Sequence, residues 1–203
     1  MSTTPPYESA DYDTAFMSFV NEVEHVQSEA LGNWMVEKFN PQTVVDLGCA
    51  SGLYLLPYKR AGAQVWGVDM SEDGGKLLDE NEYARLDLRF PLPYVTRGSA
   101  DLVICFEVAE HLHEEYANGL VANICFLAKS LILFTGATPG QGGTNHHNEQ
   151  PHEYWLSKFR EYGWCVRPPQ GEMREMLKEF EPMRNKEVSG WIIDNSFLLQ
   201  RIN

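Results

Sequence analysis

A chain of 203 residues with 43% hydrophobic and 12% aromatic residues can bury one substantial core, which excludes a disordered or fibrous chain. It carries 16 Lys and Arg against 29 Asp and Glu, a net charge of −13. Such a field repels polyanions, so the expected partner is a small molecule or another protein, with no nucleic acid and no membrane surface. Cys49, Cys105, Cys125 and Cys165 form no C-x-x-C pair, and three of them sit inside apolar runs. They read as free buried thiols in a reducing, cytoplasmic compartment. Met1 to Asp13 has no basic residue and no apolar stretch, so no signal peptide is expected there. The longest apolar stretch, Gly119 to Ala137, is interrupted by Lys129 and Ser130 and predicts a helix running into a strand, with no membrane span.

Taken in chain order, helical spacing and short β-branched runs alternate. A helix is predicted over Thr14–Phe39, a strand over Thr43–Leu47, a helix over Leu53–Arg60 and a strand over Ala63–Val68. There follow a helix over Glu72–Asp79 and strands over Tyr83–Leu88 and Asp101–Phe106. A helix over Tyr116–Ala128, a strand over Ser130–Thr135, a helix over His152–Tyr162 and a strand over Trp164–Arg167 come next. Gly171–Phe180 reads as helical, Pro182 stops it, Asn185–Gly190 is a polar turn, and Trp191–Arg201 reads as a last strand. Strands that are apolar throughout and separated by helices imply a parallel sheet covered on both faces. The fold class is therefore α/β, a doubly wound and mostly parallel seven-stranded sheet, its last strand antiparallel at the edge. A single domain is expected over 1–203, with a helical segment over 1–40 and an α/β core over 41–203. The leading part of that segment, with Tyr7, Tyr12, Phe16 and Met17, can either fray or close over a pocket and exclude water.

The first strand runs into Asp46-Leu47-Gly48-Cys49-Ala50-Ser51-Gly52, with a helix following at once. In a doubly wound sheet the ligand lies beyond the carboxyl ends of the strands, and this turn is its floor. Gly48 and Gly52 allow a tight bend and a close backbone approach. The middle glycine of a dinucleotide fingerprint is missing, which argues against a pyrophosphate. Asp69 ends the second strand, where a carboxylate can accept from both hydroxyls of a ribose.

These segments resemble the class I S-adenosylmethionine-dependent methyltransferases. The resemblance rests on Val44 to Gly52, with Ala50 at the middle glycine of the family loop, then Gly67-Val68-Asp69-Met70, Leu86-Asp87-Leu88, and Asp101 through Leu112. It implies a Rossmann-like methyltransferase domain, methyltransferase activity and S-adenosyl-L-methionine as cofactor. It also implies that Gly48, Cys49 and Gly52 approach the methionine part, with Asp46 near its amino group. Asp69 would hold the ribose hydroxyls, Met70 would pack on the adenine, Asp87 would accept from the adenine amine and Leu88 would cover the ring's other edge. Phe106 and Glu107 would line the methionine end; on pattern alone Phe106 and Leu88 read equally well as core.

The loop after the fifth strand, Thr138 to Trp155, holds glycines interleaved with His146, His147, Asn148, Glu149, Gln150 and His152. A surface loop whose end caps a helix accounts for Pro151 and Glu153 but leaves the middle unexplained. Its donors, acceptors and imidazoles suit a polar, hydroxylated acceptor. The run Pro139 to Gln150 also resembles a loop of small bacterial methyltransferases, some of them similar to enzymes that tailor glycans and natural products. His146 is the expected general base, with His111 as the alternative and Glu149 or Glu110 orienting the ring. Asn148, Gln150 and Tyr154 are the expected acceptor-binding residues. His146, His147, Glu149 and His152 offer metal-binding groups, but their spacing matches no compact ligand motif and neighbouring histidines point apart in extended chain. No metal is expected. The expected activity is methyl transfer to a small polar molecule, with O-methylation of a hydroxylated acceptor such as a sugar or natural product as the specific form. A catalytically silent cofactor-binding module, or a protein methyltransferase with a basic partner, are the competing readings, and the oligomeric state stays open.

Overall fold

The computed structural model describes residues 14–93, 96–167, 170–178 and 190–202. Seven strands form one sheet in the order β3-β2-β1-β4-β5-β7-β6. They are β1 (Thr43–Leu47), β2 (Gln64–Asp69), β3 (Tyr83–Arg85), β4 (Ala100–Cys105), β5 (Ala128–Phe134), β6 (Trp164–Val166) and β7 (Phe197–Arg201). β1 to β5 run parallel, while β7 pairs antiparallel with both β5 and β6. The chain winds outward from β1 to β3, then returns to start again at β4 beside β1. The crevice at the carboxyl ends of β1 and β4 is therefore the switch point where ligands bind in such sheets.

Successive residues along each central strand serve opposite faces. Val45, Val103, Ile132 and Phe134 enter one buried cluster with Leu120, Ile124, Trp155 and Phe159, supplied by α3 (Ala117–Leu127) and α4 (His152–Glu161). Val44, Leu102, Leu131 and Leu133 enter the other with Leu31, Met35, Tyr58, Met173 and Ile192. These come from α1 (Thr14–Phe39), α2 (Leu56–Arg60), α5 (Gln170–Lys178) and α6 (Gly190–Asn195). Helices thus cover both faces, as the apolar strands require. α1 packs on α2 and α5, and Gly32 makes the first of these contacts possible: a Cβ there would lie 2.5 Å from both Cβ and Cγ of Pro57. Helix propensity alone would favour Gly32→Ala by about 1 kcal/mol. The rigid proline ring reverses that sign, and urea unfolding of Gly32→Ala should show a net loss of about 1 to 3 kcal/mol; a gain would contradict the packing.

Three expectations change. Glu72–Asp79 is a series of turns: Gly74 and Gly75 lie under the Tyr83 ring, where a Cβ would come within 2.2 and 2.4 Å of it. Gly75 N and Leu77 N donate to the carbonyls of Ala50 and Ser51 at 2.8 and 2.9 Å, bonds that a continuous helix would forbid. The third strand stops at Arg85, because Asp87 makes its own turn, accepting from Arg89 N at 3.0 Å. Trp191–Arg201 divides into α6 and β7, and β7 lies one place in from the edge, with the short β6 outside it. The apolar residues on either side of the break carry no period that separates helix from strand. Pro182, Tyr7, Tyr12 and most of the turn at Asn185–Gly190 lie outside the described residues, as do the side chains of Phe16 and Met17. No described helix is long and apolar enough to cross a membrane.

Candidate active site

The loop after β1 is wound by three positive-φ residues, Gly48 at 84°, Ala50 at 47° and Gly52 at 91°. Gly48 N and Cys49 N both donate to Val68 O, at 2.7 and 3.1 Å, so the turn folds back over the end of β2. There the Asp69 carboxylate accepts from Ala50 N at 2.9 Å and from Ser71 N at 2.7 Å, one on each oxygen. Cys49 is buried, and desolvation, followed by the negative charges of Asp46 and Asp69, raises its thiol well above the ordinary range. It is a packed thiol and no nucleophile. Asp46 is buried at the floor of the crevice, and Met70 is half-buried beside Asp69.

Asp87 is engaged by a residue of its own turn. Arg89 grips it with Nε on both oxygens and the terminal NH2 on one, at 2.6 to 3.0 Å, in addition to the backbone bond. Burial favours its neutral form, yet the hydrogen bonds and charge of Arg89 prevail and hold the carboxyl below its usual range. Contact with an adenine amine would require Arg89 to swing away. Leu88 lies in the buried cluster beneath α3. Phe106 lies in the opposite cluster, edge-on to Tyr54 with ring centroids 5.0 Å apart. Both are core residues here.

Beyond β4 the backbone is strained. Of the four described non-glycine residues with positive φ, Ala50, Glu107 and Asn145 all belong to this end of the sheet, and only Asn40 lies elsewhere. Such strain persists where surrounding bonds over-determine it, and it gathers at functional sites. Glu107, at φ 50°, is pinned by its N–H on Thr135 Oγ1 at 2.7 Å. Its Oε2 accepts from Gln141 Nε2 at 3.1 Å. Gln141 Oε1 in turn accepts from Asn195 Nδ2 at 2.8 Å, and Asn195 Oδ1 meets His152 Nε2 at 3.3 Å. A polar chain thus links the end of β4, the loop after β5, the end of α6 and the start of α4.

Glu110 is fully buried, and among the described residues no side-chain cation or amide reaches either carboxyl oxygen. Burial, then the charge of Glu107 beside it, pushes its pKa well up. A protonated Glu110 donating to Glu107 satisfies both groups. The Glu110 carbonyl accepts from His147 N and Asn148 N at 2.8 and 3.0 Å, which docks the loop after β5 onto this segment. Glu149 organises the loop from within: it accepts from Gly140 N, Gly142 N and His146 Nδ1 at 2.7, 2.6 and 3.0 Å. The bond to His146, ahead of those from the glycines, holds the Glu149 carboxyl below its ordinary range. Of the two orienting carboxylates open in the sequence, the hydrogen bond falls to Glu149.

A carboxylate only accepts, so His146 Nδ1 carries the hydrogen, and in the neutral ring the lone pair is on Nε2. His111 is arranged alike: Nδ1 faces the carbonyl of Asn145 at 3.3 Å, which again leaves the lone pair on Nε2. The two rings meet edge to face, centroids 4.9 Å apart. Burial, then the neighbouring His146, pushes His111 down to about 4, so at neutral pH it is an uncharged imidazole. His147 stacks on His113 at 4.4 Å and His152 sits on Asn195. The four residues weighed for a metal from the loop alone therefore do not come together. Asn148 is buried, with Oδ1 accepting from Gln150 Nε2 at 2.8 Å. Tyr154 turns to the flank of α4, its hydroxyl on Glu114 Oε1 at 3.3 Å and Lys158 Nζ 4.5 Å over its ring; adjacent Trp155 takes the inward direction. Gln141 and Asn195 belong to the site and were not singled out in the sequence. No spacing signals Asn195, which falls in the polar break Asp194-Asn195-Ser196 between apolar residues.

A doubly wound sheet with a left-handed glycine loop after β1 and a carboxylate closing β2 defines a Rossmann-like methyltransferase fold. A family profile described as a methyltransferase domain matches residues 21–181, and the chain belongs to the class I S-adenosylmethionine-dependent methyltransferase family. It is 28% identical over 131 residues to the magnesium-protoporphyrin O-methyltransferase of Synechocystis sp., covering 60% of this chain and 57% of that enzyme. It is 36% identical over 74 residues to the ubiquinone biosynthesis O-methyltransferase of Bradyrhizobium diazoefficiens, covering 34% of this chain and 29% of that enzyme. The chain thus covers less than two thirds of the length of either relative. Its fold matches a SAM-dependent methyltransferase from Archaeoglobus fulgidus with a TM-score of 0.65 at 16% identity, over 93% of this chain and 100% of the other.

Proposed function

We propose that this chain uses S-adenosyl-L-methionine to methylate a hydroxyl of a small polar acceptor, such as a sugar or natural product, bound against the loop over 138–150. The observation that carries this reading is the His146–Glu149 pair, held at 3.0 Å at the carboxyl end of the sheet. Family membership and two relatives named as O-methyltransferases support it. When bound, the cofactor supplies an electrophilic methyl group on a sulfonium and leaves as a neutral thioether.

The chain's residues fit that cofactor at Asp69. A carboxylate offers about four acceptor sites, and two are used by Ala50 N and Ser71 N. The remaining lone pairs suit the two hydroxyls of a ribose, while Gly48, Cys49, Gly52 and Asp46 border the methionine end. His146 takes the acceptor's proton on Nε2 as the new oxygen–carbon bond forms, and Glu149 stabilises the resulting imidazolium. His111, kept neutral, packs against it. Asn148 and Gln150 shape the loop that presents the acceptor. Most of the rate comes from aligning oxygen, methyl carbon and sulfur.

Asp69→Ala should weaken cofactor binding by about 1 to 3 kcal/mol with the fold kept, the range for deleting a charged hydrogen-bond partner. Calorimetric titration checks this, and unchanged affinity would move the ribose contact elsewhere. The acceptor reading itself is tested by mass spectrometry of a panel of hydroxyl, amine and thiol compounds incubated with enzyme and cofactor. Methylated hydroxyl products are expected. Cofactor binding without any methylated product would instead favour a catalytically silent module.

A further inference from the structure

Glu110 and His111 follow β4, and His146 lies in the loop after β5, yet one ligating atom from each comes within 4.8 Å of the other two. We infer that these three side chains form a binding site for one divalent cation, with Glu107 at its border. The inference deepens the acceptor reading, since it concerns the same loop.

Four observations support the site independently of any titration. The buried Glu110 carboxyl faces the Glu107 carboxyl with no side-chain cation or amide donor on either Glu110 oxygen or on Glu107 Oε1 among the described residues, and a cation between the two carboxyls would take the place of the proton they otherwise share. Both imidazoles carry their hydrogen on Nδ1, fixed by Glu149 Oε1 and by the Asn145 carbonyl. Ligating histidines are oriented in this way, with the second ring nitrogen donating to a carboxylate or carbonyl. Gly143 lets the His146 ring lie where it does, because a Cβ there would fall 2.4 Å from Nε2. Finally, two imidazoles and a carboxylate suit Mn²⁺, Fe²⁺, Co²⁺ or Zn²⁺ and leave coordination positions open. An ion held there would polarise an acceptor hydroxyl entering one of those positions. It would also occupy the His146 lone pair, so in a metal-loaded molecule the ion would acidify the hydroxyl and the Glu107 carboxylate at the border, whose Oε1 meets no side-chain cation or amide among the described residues, would accept its proton in place of the imidazole.

The test is titration of Mn²⁺ into the full chain at neutral pH, followed by loss of the free-ion electron paramagnetic resonance signal. One ion per chain is expected, with hyperfine couplings from two imidazole nitrogens in the wild-type complex, a reading that needs no variant. Glu110→Gln preserves the shape of a neutral carboxyl, and it and His111→Ala should each weaken binding at least tenfold. Glu149→Gln, acting through His146, should weaken it about tenfold to a hundredfold. His147→Ala, which alters only the exposed stack on His113, should bind Mn²⁺ as wild type does. No loss of free-ion signal at millimolar protein, absence of nitrogen couplings, or equal binding by Glu110→Gln and His111→Ala would overturn the inference. If Mn²⁺ fails to bind while His146→Ala still slows methyl transfer, the cation site falls and the general-base reading stands.

Discussion

Replacing His146 by alanine should lower turnover about a hundredfold at saturating acceptor, within the usual range for losing a general base, while cofactor affinity stays within a factor of about two. The division follows from position. His146 lies on the loop after β5, docked through Glu110 and Glu149, whereas the proposed cofactor contacts come from the turn after β1 and the end of β2. Glu149→Gln should show a smaller loss, because its amide still fills the space but no longer stabilises an imidazolium or accepts from both glycines as a charge. A steady-state assay with a genuine acceptor reads both variants. If His146→Ala raised KM alone, the loop would only position the acceptor, as for an amine or thiolate. Near-normal turnover would exclude the base role and make His111 the next residue to replace.

Gly52→Val is expected to abolish measurable cofactor binding and to cost roughly 2 to 5 kcal/mol of stability, from left-handed strain and overpacking together. Gly52 sits at φ 91°, a region that β-branched residues avoid. Its added Cβ would lie 2.6 to 3.0 Å from Cγ, Cδ1 and Cδ2 of Leu78. Leu78 cannot retreat toward β2, since it already packs over Gly67, where a Cβ would come within 2.8 Å of it. The obstacle is thus the turn segment after β2 pressed onto the loop. Denaturant unfolding and calorimetry of the purified variant check both parts, and wild-type stability with wild-type affinity would contradict this placement.

The contrast between Gly52 and Leu78 shows where sequence reasoning succeeds. The alternation of apolar strands with helices, the turn from Asp46 to Gly52 and the carboxylate at Asp69 are local signals, each written in a few adjacent residues. The turn and the carboxylate fall at the carboxyl ends of β1 and β2, where the strand pattern put them. The helix expected over Glu72–Asp79 failed because Gly74 and Gly75 serve contacts with Tyr83 and with the first loop, which periodicity does not record. The pattern around Asp87 gives no sign of Arg89 two residues on, whose guanidinium bonds both of its oxygens. The cluster of Glu110, His111 and His146 is non-local: the first two adjoin in sequence, but only the parallel pairing of β4 with β5 brings the third to them. The histidines adjacent in the loop, His146 and His147, instead part company, one to Glu149 and the other to His113. Asn195 is hidden most completely, since the polar triplet Asp194-Asn195-Ser196 reads as an ordinary turn and its partners, Gln141 and His152, come from another part of the chain.

The central claim is that the crevice between β1 and β4 binds S-adenosyl-L-methionine through the glycine loop and Asp69. Isothermal titration of the wild-type chain with S-adenosyl-L-methionine and with its demethylated product S-adenosylhomocysteine tests it most directly. One molecule of either should bind per chain, in competition with the other, and Asp69→Ala should weaken both by a similar factor. Absence of heat for both ligands at millimolar concentration would contradict the account.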